Sequence, residues 1–283
     1  MSAKVLINGQ AEGVISPFDR GMHYGDGLFE TFLVQSGCLL FPSEHFSRLR
    51  KGCQKLGFPK PDEALITDEI NQAIGSDSNG VVKLLLSRGE GNRGFMPPEK
   101  PTVTRVISFS PSHSILKATL KCCSLILCHT RLARQSVLAG IKHLNQLERV
   151  MARAELKDQS AEGLMLDTDG LVIEGTMSNL FIVKHNTLIT PPLNNCGVHG
   201  TIREYLGQAA KRDNVKLKER ELRLEDVKRA DEVFMTNSVM PLRSIDRLMI
   251  SGASYNMQKG PISEWAFNAI LSNIRLQIKR SNE

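Results

Sequence analysis

The spacing of apolar and polar residues divides the first hundred residues into short strands and two helices. Residues 4–10 alternate as a strand does and run into an Asn8-Gly9 turn. Residues 28–35 are apolar and aromatic, and Ser36-Gly37 closes them as a hairpin turn would. Apolar runs at residues 81–87 and 104–110 indicate two buried strands.

Helical spacing follows the second of these strands. Ser43 is a candidate N-cap for a helix through Leu56, whose apolar residues recur on one face. That predicted face consists of Phe46, Leu49, Cys53 and Leu56. A second helix is predicted over residues 63–74, ended by Gly75. Together with the strands, these helices make an α+β unit of about a hundred residues, within ordinary domain size.

A polar stretch with one proline, residues 110–114, is the best candidate for a linker. It divides the chain into a smaller N-terminal α+β domain, residues 1–112, and a larger domain, residues 113–283. The second domain has its own pattern of elements. In chain order these are a strand at 120–128, a helix at 145–157, a hairpin of 164–166 and 171–173, strands at 179–183 and 188–190, a helix at 202–212, a strand at 232–236 and a helix at 262–278. In the helix at 145–157, Leu147, Met151 and Ala154 are expected on the buried side.

Composition narrows the class of protein only a little. With 41% hydrophobic and 23% charged residues, the 283-residue chain is predicted to be globular. The net charge of +6 is mild and suits an anionic small molecule, a nucleic acid or neither. Only 5% of residues are aromatic and no basic cluster interleaves with them, which argues against a nucleic-acid binder.

The sequence lacks the patterns that would indicate a membrane span, a signal peptide or a metal site. No apolar run is long enough to span a bilayer, and the first residues lack a signal-peptide pattern. The six cysteines form no CxxC pair, and the seven histidines show no metal-ligand spacing. We therefore expect a soluble protein of the reducing cytoplasm that holds no metal and spans no membrane.

A glycine-rich stretch, residues 89–94, fits the G-x-G-x-x-G pattern of dinucleotide-binding proteins. Such a site needs a helix to begin inside the motif, whereas Pro97-Pro98 follows here and opposes a helix. The stretch is either a surface loop or a loop that presents Arg93, with Arg88, to an anionic ligand.

Several single residues could carry chemistry, although each also has an ordinary structural explanation. Lys142 lies among apolar neighbours at a strand-to-helix junction, where lost solvation could make it a nucleophile or base, although most lysines beside a helix start are simply solvated. Glu174 ends an apolar strand and could be a rim residue or pair with a buried cation. The helix start at Gly200-Thr201 could bind an anion, and Thr236-Asn237-Ser238 offers polar donors or forms only a turn.

The block from Asp19 to Gly27 differs from an ordinary turn. It contains three glycines, two aspartates and an arginine within nine residues, and two aromatic residues, Phe29 and Phe32, follow it. A structural turn rarely needs that much charge, so the sequence points to a functional role for this block.

Taken in order, these pieces resemble the fold-type IV pyridoxal-phosphate enzymes, which include branched-chain and D-amino-acid aminotransferases and aminodeoxychorismate lyases. The resemblance extends from residue 7 to residue 241. It is carried by residues 19–30, by His45-Phe46-Ser47-Arg48-Leu49 and by Glu174 with Ser178-Asn179-Leu180-Phe181. It implies a two-domain α+β fold with the cofactor, pyridoxal 5'-phosphate, in the cleft between the domains.

The resemblance also implies a role for each matched residue. Lys142 would bind the cofactor covalently, Glu174 would keep the pyridine nitrogen protonated, and Arg48 would bind the phosphate. Three more groups would complete the phosphate site: the backbone N–H groups of Thr201 and Ile202 and the side chain of Ser238. Many relatives have an aliphatic residue and then threonine after this glycine, and the order is reversed here, which leaves backbone contacts intact.

Within the family, residues 140–148 and 86–95 look most like the lyases. Branched-chain aminotransferases usually carry a tyrosine where Gln146 stands. The resemblance thus implies conversion of 4-amino-4-deoxychorismate to 4-aminobenzoate and pyruvate, a step of folate biosynthesis. The alternatives are an aminotransferase of branched-chain or D-amino acids with the same cofactor and a non-enzymatic binder of anions or nucleic acid, which only the net charge of +6 suggests.

The substrate implied by the resemblance is a small anion with two carboxylates. Arg93 aligns with a loop position that binds a substrate carboxylate in some relatives, and Lys83 and Tyr24 are further candidates. In this family the neighbouring subunit often contributes that loop, so a homodimer is expected.

Overall fold

The computed structural model describes residues 4–75, 79–112, 119–281 and 283. The chain divides into two compact units. The first contains the described residues up to 112 together with Ile141–Asn145 and Leu276–Glu283, and the second contains residues 119–140 and Gln146–Arg275. The five residues around Lys142 thus group with the first unit, although they come later in sequence than the predicted boundary. Residues 113 and 114 of the predicted linker lie outside the described part of the chain.

The first unit is built on a five-stranded antiparallel sheet with the order β1-β5-β4-β2-β3. Its strands are β1 (Lys4–Ile7), β2 (Gly27–Gln35), β3 (Cys38–Leu39), β4 (Gly80–Ser87) and β5 (Thr104–Pro111). The predicted turn between β2 and β3 is confirmed, since Ser36 and Gly37 both have positive φ, as a two-residue hairpin turn requires. The long pairing of β2 with β4 gives this sheet a rigid centre.

Three helices accompany this sheet: α1 (Arg20–Tyr24), α2 (Pro42–Leu56) and α3 (Glu63–Ile74). The prediction of α3 and its end at Gly75 is confirmed. The N-cap predicted at Ser43 is wrong. Phe41 takes that place in a left-handed conformation without a side-chain cap, and Pro42 starts α2, because its ring presets φ for the first helical position.

The second unit contains a nine-stranded sheet that closes on itself. Its strands are β6 (Lys121–Leu127), β7 (Glu162–Leu166), β8 (Val172–Gly175), β9 (Asn179–Lys184), β10 (Thr187–Thr190), β11 (Leu217–Glu219), β12 (Glu232–Thr236), β13 (Arg243–Ile250) and β14 (Ala253–Asn256). The order is β11-β10-β9-β12-β13-β6-β7-β8, with β14 beside β13, and β8 pairs back onto β9 through Glu174 and Asn179. The predicted functional carboxylate therefore lies at the seam where the sheet closes.

Apolar side chains fill this closed sheet. Fully buried members of the core come from five strands: Leu125, Leu164, Leu180, Val233 and Leu248. The strands β7, β9 and β12 are apolar runs in the sequence because their residues are buried on both faces of the sheet.

Four helices complete the second half of the chain: α4 (Leu147–Ala154), α5 (Thr201–Arg212), α6 (Leu224–Lys228) and α7 (Pro261–Ser281). The buried face predicted for α4 is wrong. Leu147, Met151 and Ala154 are exposed, and Ala152 is buried instead. Within the described chain, no helix is both long and apolar enough to cross a membrane.

Candidate functional site

Lys142 is held by backbone pairing with β2. The N–H of Phe29 donates to the carbonyl of Lys142 at 2.9 Å, and the N–H of Leu144 donates to the carbonyl of Gly27 at 2.9 Å. This short stretch therefore extends the first sheet beside the beginning of β2. Because these two bonds fix the backbone from Lys142 to Leu144, the Lys142 side chain leaves the sheet from a defined position.

A glycine-dependent contact fixes the other end of the lysine segment. The side-chain amide of Asn145 donates to the carbonyl of Gly25 at 2.9 Å. Gly25 caps α1 with a φ of 63°, and a Cβ there would lie 2.6 Å from Oδ1 of Asn145. The glycines of the block at 19–27 thus let α1 approach the lysine segment closely.

Two ammonium groups lie over one aromatic ring. Nζ of Lys142 is 4.2 Å from the ring centroid of Phe29, and Nζ of Lys83 is 5.4 Å from the same centroid. Lys142 is half-buried, whereas Lys83 is exposed. The face of the ring attracts cations, so this ring helps to place two of the predicted site residues together.

Arg48 belongs to a buried polar triad with Glu30 and His45. Nε and Nη2 of Arg48 donate to the two oxygens of Glu30 at 2.8 and 2.5 Å, and Nδ1 of His45 lies 2.6 Å from Oε2. Nε2 of His45 is buried and has no hydrogen-bond partner among the described residues. The guanidinium predicted to bind phosphate is therefore already oriented by a bidentate carboxylate.

Burial and neighbouring charges together shift the pKa values of Glu30 and His45. Burial alone would raise the pKa of Glu30, but the Arg48 charge and hydrogen bonds, with His45, lower it to about 2. Burial lowers the pKa of His45, against the opposing pull of Glu30, and the charges of Arg48 and Lys142 lower it further. The ordinary pKa is 4.5 for the glutamate and 6.5 for the histidine, and folding lowers both. Each group therefore favours the folded state when the pH is above its ordinary pKa. That contribution is lost as the pH falls from the ordinary pKa through the lower pKa of the folded state.

The charged block from Asp19 to Gly27 holds loops together. Asp26 accepts Nε of Arg20 at 2.9 Å and Nε of Arg88 at 2.7 Å. Burial would raise the pKa of Asp26, but these two arginines hold it below its ordinary value. Asp19 caps α1 and accepts the hydroxyl of Ser87. These charges pair with each other and with neighbouring loops, so a structural role accounts for them, and the functional role expected of the block stays a prediction.

Arg88 is likewise structural. It is buried, and besides Asp26 its guanidinium donates to the carbonyls of Leu56 at 2.7 Å and Gly57 at 3.2 Å. The expectation that Arg88 is presented to an anionic ligand is therefore wrong.

The remaining substrate candidates lie around the loop that follows β4. Arg20 donates to the carbonyls of Gly94 at 3.0 Å and Phe95 at 2.8 Å, which fixes the middle of that loop. Arg93 is exposed there, and the ring of Tyr24 contacts the ring of Phe95 at 5.2 Å. No helix begins in residues 89–94, as expected from the prolines that follow.

Glu174 is buried at the seam of the second sheet and bound by three donors. Nη2 of Arg149 donates to its Oε1. The side-chain amide of Asn179 and the N–H of Val198 donate to its Oε2 at 3.0 and 3.1 Å. The sequence left open whether Glu174 is a rim residue or pairs with a buried cation, and the second alternative is confirmed.

Asn179 connects Glu174 to the start of α5. Its Nδ2 also donates to the carbonyl of Val198 at 2.8 Å, and a Cβ on Gly200 would lie 1.8 Å from its Oδ1. Gly200 is the N-cap of α5, and no side chain caps this helix. The first N–H groups of α5, on Thr201 and Ile202, thus begin beside the residue that orients Glu174.

These positions suit a cofactor with a phosphate and a basic ring nitrogen. An uncapped helix start favours a phosphate, and a buried carboxylate favours a ring nitrogen that carries a proton. Thr236 pairs with Asn179 across the strands, and its hydroxyl is buried without a hydrogen-bond partner in the described chain. Ser238 follows in a bend where Oδ1 of Asn237 accepts the N–H of Val239. Among the described residues, no group of histidine, cysteine or acidic side chains could hold a metal ion.

Replacing Gly200 with alanine is expected to destabilise the second unit by about 1–3 kcal/mol, because the new methyl group collides with Asn179. Gly207→Ala on the same helix is the matched control. A Cβ there meets nothing within 4 Å, so it should stabilise by about 0.8–1 kcal/mol through helix propensity. Denaturant unfolding measures both, and equal effects of the two substitutions would contradict the close approach.

Sequence reasoning gave no role to four residues of these clusters: Glu30, His45, Arg149 and Asn179. Glu30 could have been found, since an acidic residue inside an otherwise apolar strand signals a buried ion pair. Asn179 stood inside a recognised motif but received no role. Arg149 had no signal of its own, because its partner lies 25 residues later in the chain.

Comparison with known proteins places these observations in a family. The model of the family described as "Amino-transferase class IV" matches residues 27–248. The chain is 35% identical to aminodeoxychorismate lyase of Vibrio harveyi over 238 residues, which cover 83% of this chain and 87% of the relative. It is 28% identical to D-alanine aminotransferase of Bacillus licheniformis over 282 residues, which cover 96% and 97%. A crystal structure of 4-amino-4-deoxychorismate lyase from Pseudomonas aeruginosa matches with a TM-score of 0.87 and 36% identity, covering 95% of this chain and 98% of that one.

Proposed function

Because the chain belongs to the amino-transferase class IV family and has its two-sheet, fold-type IV α+β fold, we propose that it is a pyridoxal-phosphate-dependent aminodeoxychorismate lyase. The reaction would convert 4-amino-4-deoxychorismate to 4-aminobenzoate and pyruvate. The observation that carries the lyase over an aminotransferase is the higher identity to the two lyases than to the D-alanine aminotransferase. Gln146, in the place where branched-chain aminotransferases usually have tyrosine, supports the same choice.

The proposal gives chemical roles to residues of both clusters, the one with Lys142 and Arg48 and the one with Glu174 and the start of α5. Bound pyridoxal phosphate supplies an electron-accepting ring that stabilises negative charge on the carbon that loses its proton. Lys142 would bind the cofactor and then take that proton through Nζ, which is placed by the pairing with β2. In the first unit, Arg48, already oriented by Glu30, would bind the phosphate. In the second unit, the start of α5 and Ser238 are the further phosphate donors that the resemblance implies.

The chemistry of the substrate explains why so few groups are needed. Loss of the proton and departure of the neighbouring enolpyruvyl oxygen leave an aromatic ring, so aromatisation supplies the driving force. The protein's tasks are then to position the substrate and to move a proton. Arg93, Lys83 and Tyr24, all in the first unit, are the candidates for binding the two substrate carboxylates.

We expect the active form to be a homodimer. Large apolar side chains are exposed in both units, as is typical of surfaces that another chain covers. Phe95 and Met96 lie in the loop that carries Arg93, Met22 lies in α1 and Phe18 just before it, and three lie in α4: Leu147, Val150 and Met151.

The lyase is tested by supplying aminodeoxychorismate to the protein with bound pyridoxal phosphate and no keto acid. We expect 4-aminobenzoate and pyruvate in equal amounts, because elimination needs no amino acceptor. An aminotransferase would instead convert its cofactor to the amine form with an amino acid and would need a keto acid to turn over. Cofactor-loaded protein that yields neither product would exclude the lyase.

A further inference from the structure

Arg149 lies within reach of the group proposed to face the cofactor's ring nitrogen. It is the third residue of α4, seven residues after Lys142, and its Nη2 donates to Oε1 of Glu174. The arginine side chain is 14% exposed and the glutamate 3%, so solvent screens this pair only weakly.

The other oxygen of Glu174 is also occupied. Oε2 accepts the amide of Asn179 and the N–H of Val198. Three donors, one of them the Arg149 guanidinium, thus hold the Glu174 carboxylate in place. A ring nitrogen that binds to this carboxylate meets a negative charge already balanced by Arg149.

We propose that Arg149 keeps the ring nitrogen of the cofactor less protonated than Glu174 alone would, and that it thereby favours elimination over amino transfer. The inference rests on the proposed function and concerns one residue to which the family resemblance gives no role. A second cation close to a basic nitrogen disfavours its protonated form. A less protonated ring accepts electrons more weakly. Elimination tolerates this, because the electron pair passes to the departing oxygen, whereas amino transfer requires the ring to retain it.

Two other titratable groups, Glu162 and Cys196, lie near Glu174, and neither carries a positive charge. Arg149 is therefore the cation that pairs with Glu174. Glu162 on β7 accepts the hydroxyls of Thr176 and Ser178. Burial, with Asp167 and Glu174, raises the pKa of the Cys196 thiol to about 12, so it stays neutral.

The test compares variants loaded with pyridoxal phosphate labelled with ¹⁵N in the ring, titrated by NMR. In Arg149→Gln, which keeps a neutral donor for Glu174, the titration midpoint of the ring nitrogen should rise by about 1–3 pH units. Arg149→Lys keeps the charge and should restore the wild-type midpoint. Arg153→Gln removes an arginine from the same helix whose bonds go to the carbonyls of Ala161 and Gln159, and it should leave the midpoint unchanged.

The ratio of amino transfer to elimination tests the same proposal independently. With an amino acid as substrate, Arg149→Gln should form the amine form of the cofactor faster relative to its lyase rate than the wild type does. An unchanged midpoint in folded, cofactor-loaded Arg149→Gln would overturn the proposal. If that variant fails to fold, the titration of the wild type alone still tests the proposal. A ring nitrogen that stays fully protonated throughout the pH range of the folded wild-type protein would contradict the proposal. Wild-type protein that binds no pyridoxal phosphate would instead refute the proposed function.

Discussion

Lys142→Ala is expected to lower the lyase rate by at least about 10⁴-fold, because it removes both the amine that binds the cofactor and the base that takes the proton. The variant should still fold, since the segment is held by backbone bonds to β2 and by Asn145 rather than by the lysine side chain. Reduction with borohydride followed by peptide mass spectrometry measures the covalent link, and product formation measures the rate. We expect the label on Lys142 of the wild type and on no lysine of the variant.

Lys83→Ala is the matched control, since the ammonium of Lys83 lies over the same Phe29 ring. If Lys83 binds a substrate carboxylate, its loss raises KM but leaves the cofactor attached to Lys142. A Lys142→Ala protein that still carries a borohydride-stable label would show that another lysine is the nucleophile. Loss of the label in Lys83→Ala alone would assign that role to Lys83.

The parts of the fold that the sequence predicted are those with strong local signals. The bounds of α3 follow from Asp62 and Gly75 at its ends, and those of β12 from its apolar run. The strand β13 was missed, because Asp246 and Arg247 interrupt its apolar run and it depends on pairing with β6 and β12. The start of α2 was misplaced, since nothing in the sequence marks Phe41 as a left-handed residue.

The candidate site follows the same division. Contiguous motifs led to Lys142 and Glu174, which the structure places beside β2 and at the seam of the second sheet. The partners of charged side chains could not be predicted, because they are distant in sequence. Asp26 and Arg88, for example, are separated by 62 positions and neutralise each other. The charge of the glycine-rich block was therefore interpreted as a sign of function, whereas the structure shows its Arg20 and Asp26 side chains in ion pairs.

Glu30→Gln is expected to destabilise the protein without cofactor by about 3–5 kcal/mol at neutral pH, because it leaves the buried guanidinium of Arg48 without its counter-charge. Denaturant unfolding measures the loss. Glu63→Gln is the matched control, since Glu63 pairs with Arg50 in a largely exposed position and should cost less than about 1 kcal/mol. Equal losses in the two variants would mean that the triad does not depend on the charge of Glu30.

The same variant tests whether Arg48 binds the phosphate. In Glu30→Gln, a phosphate bound to Arg48 replaces the missing negative charge, so pyridoxal phosphate should raise the free energy of unfolding more than it does in the wild type. In the wild type, Glu30 already balances Arg48, and the phosphate competes with it for the same cation. If pyridoxal phosphate stabilises both proteins equally, Arg48 does not bind the phosphate, and its guanidinium serves only to neutralise Glu30 beneath the sheet.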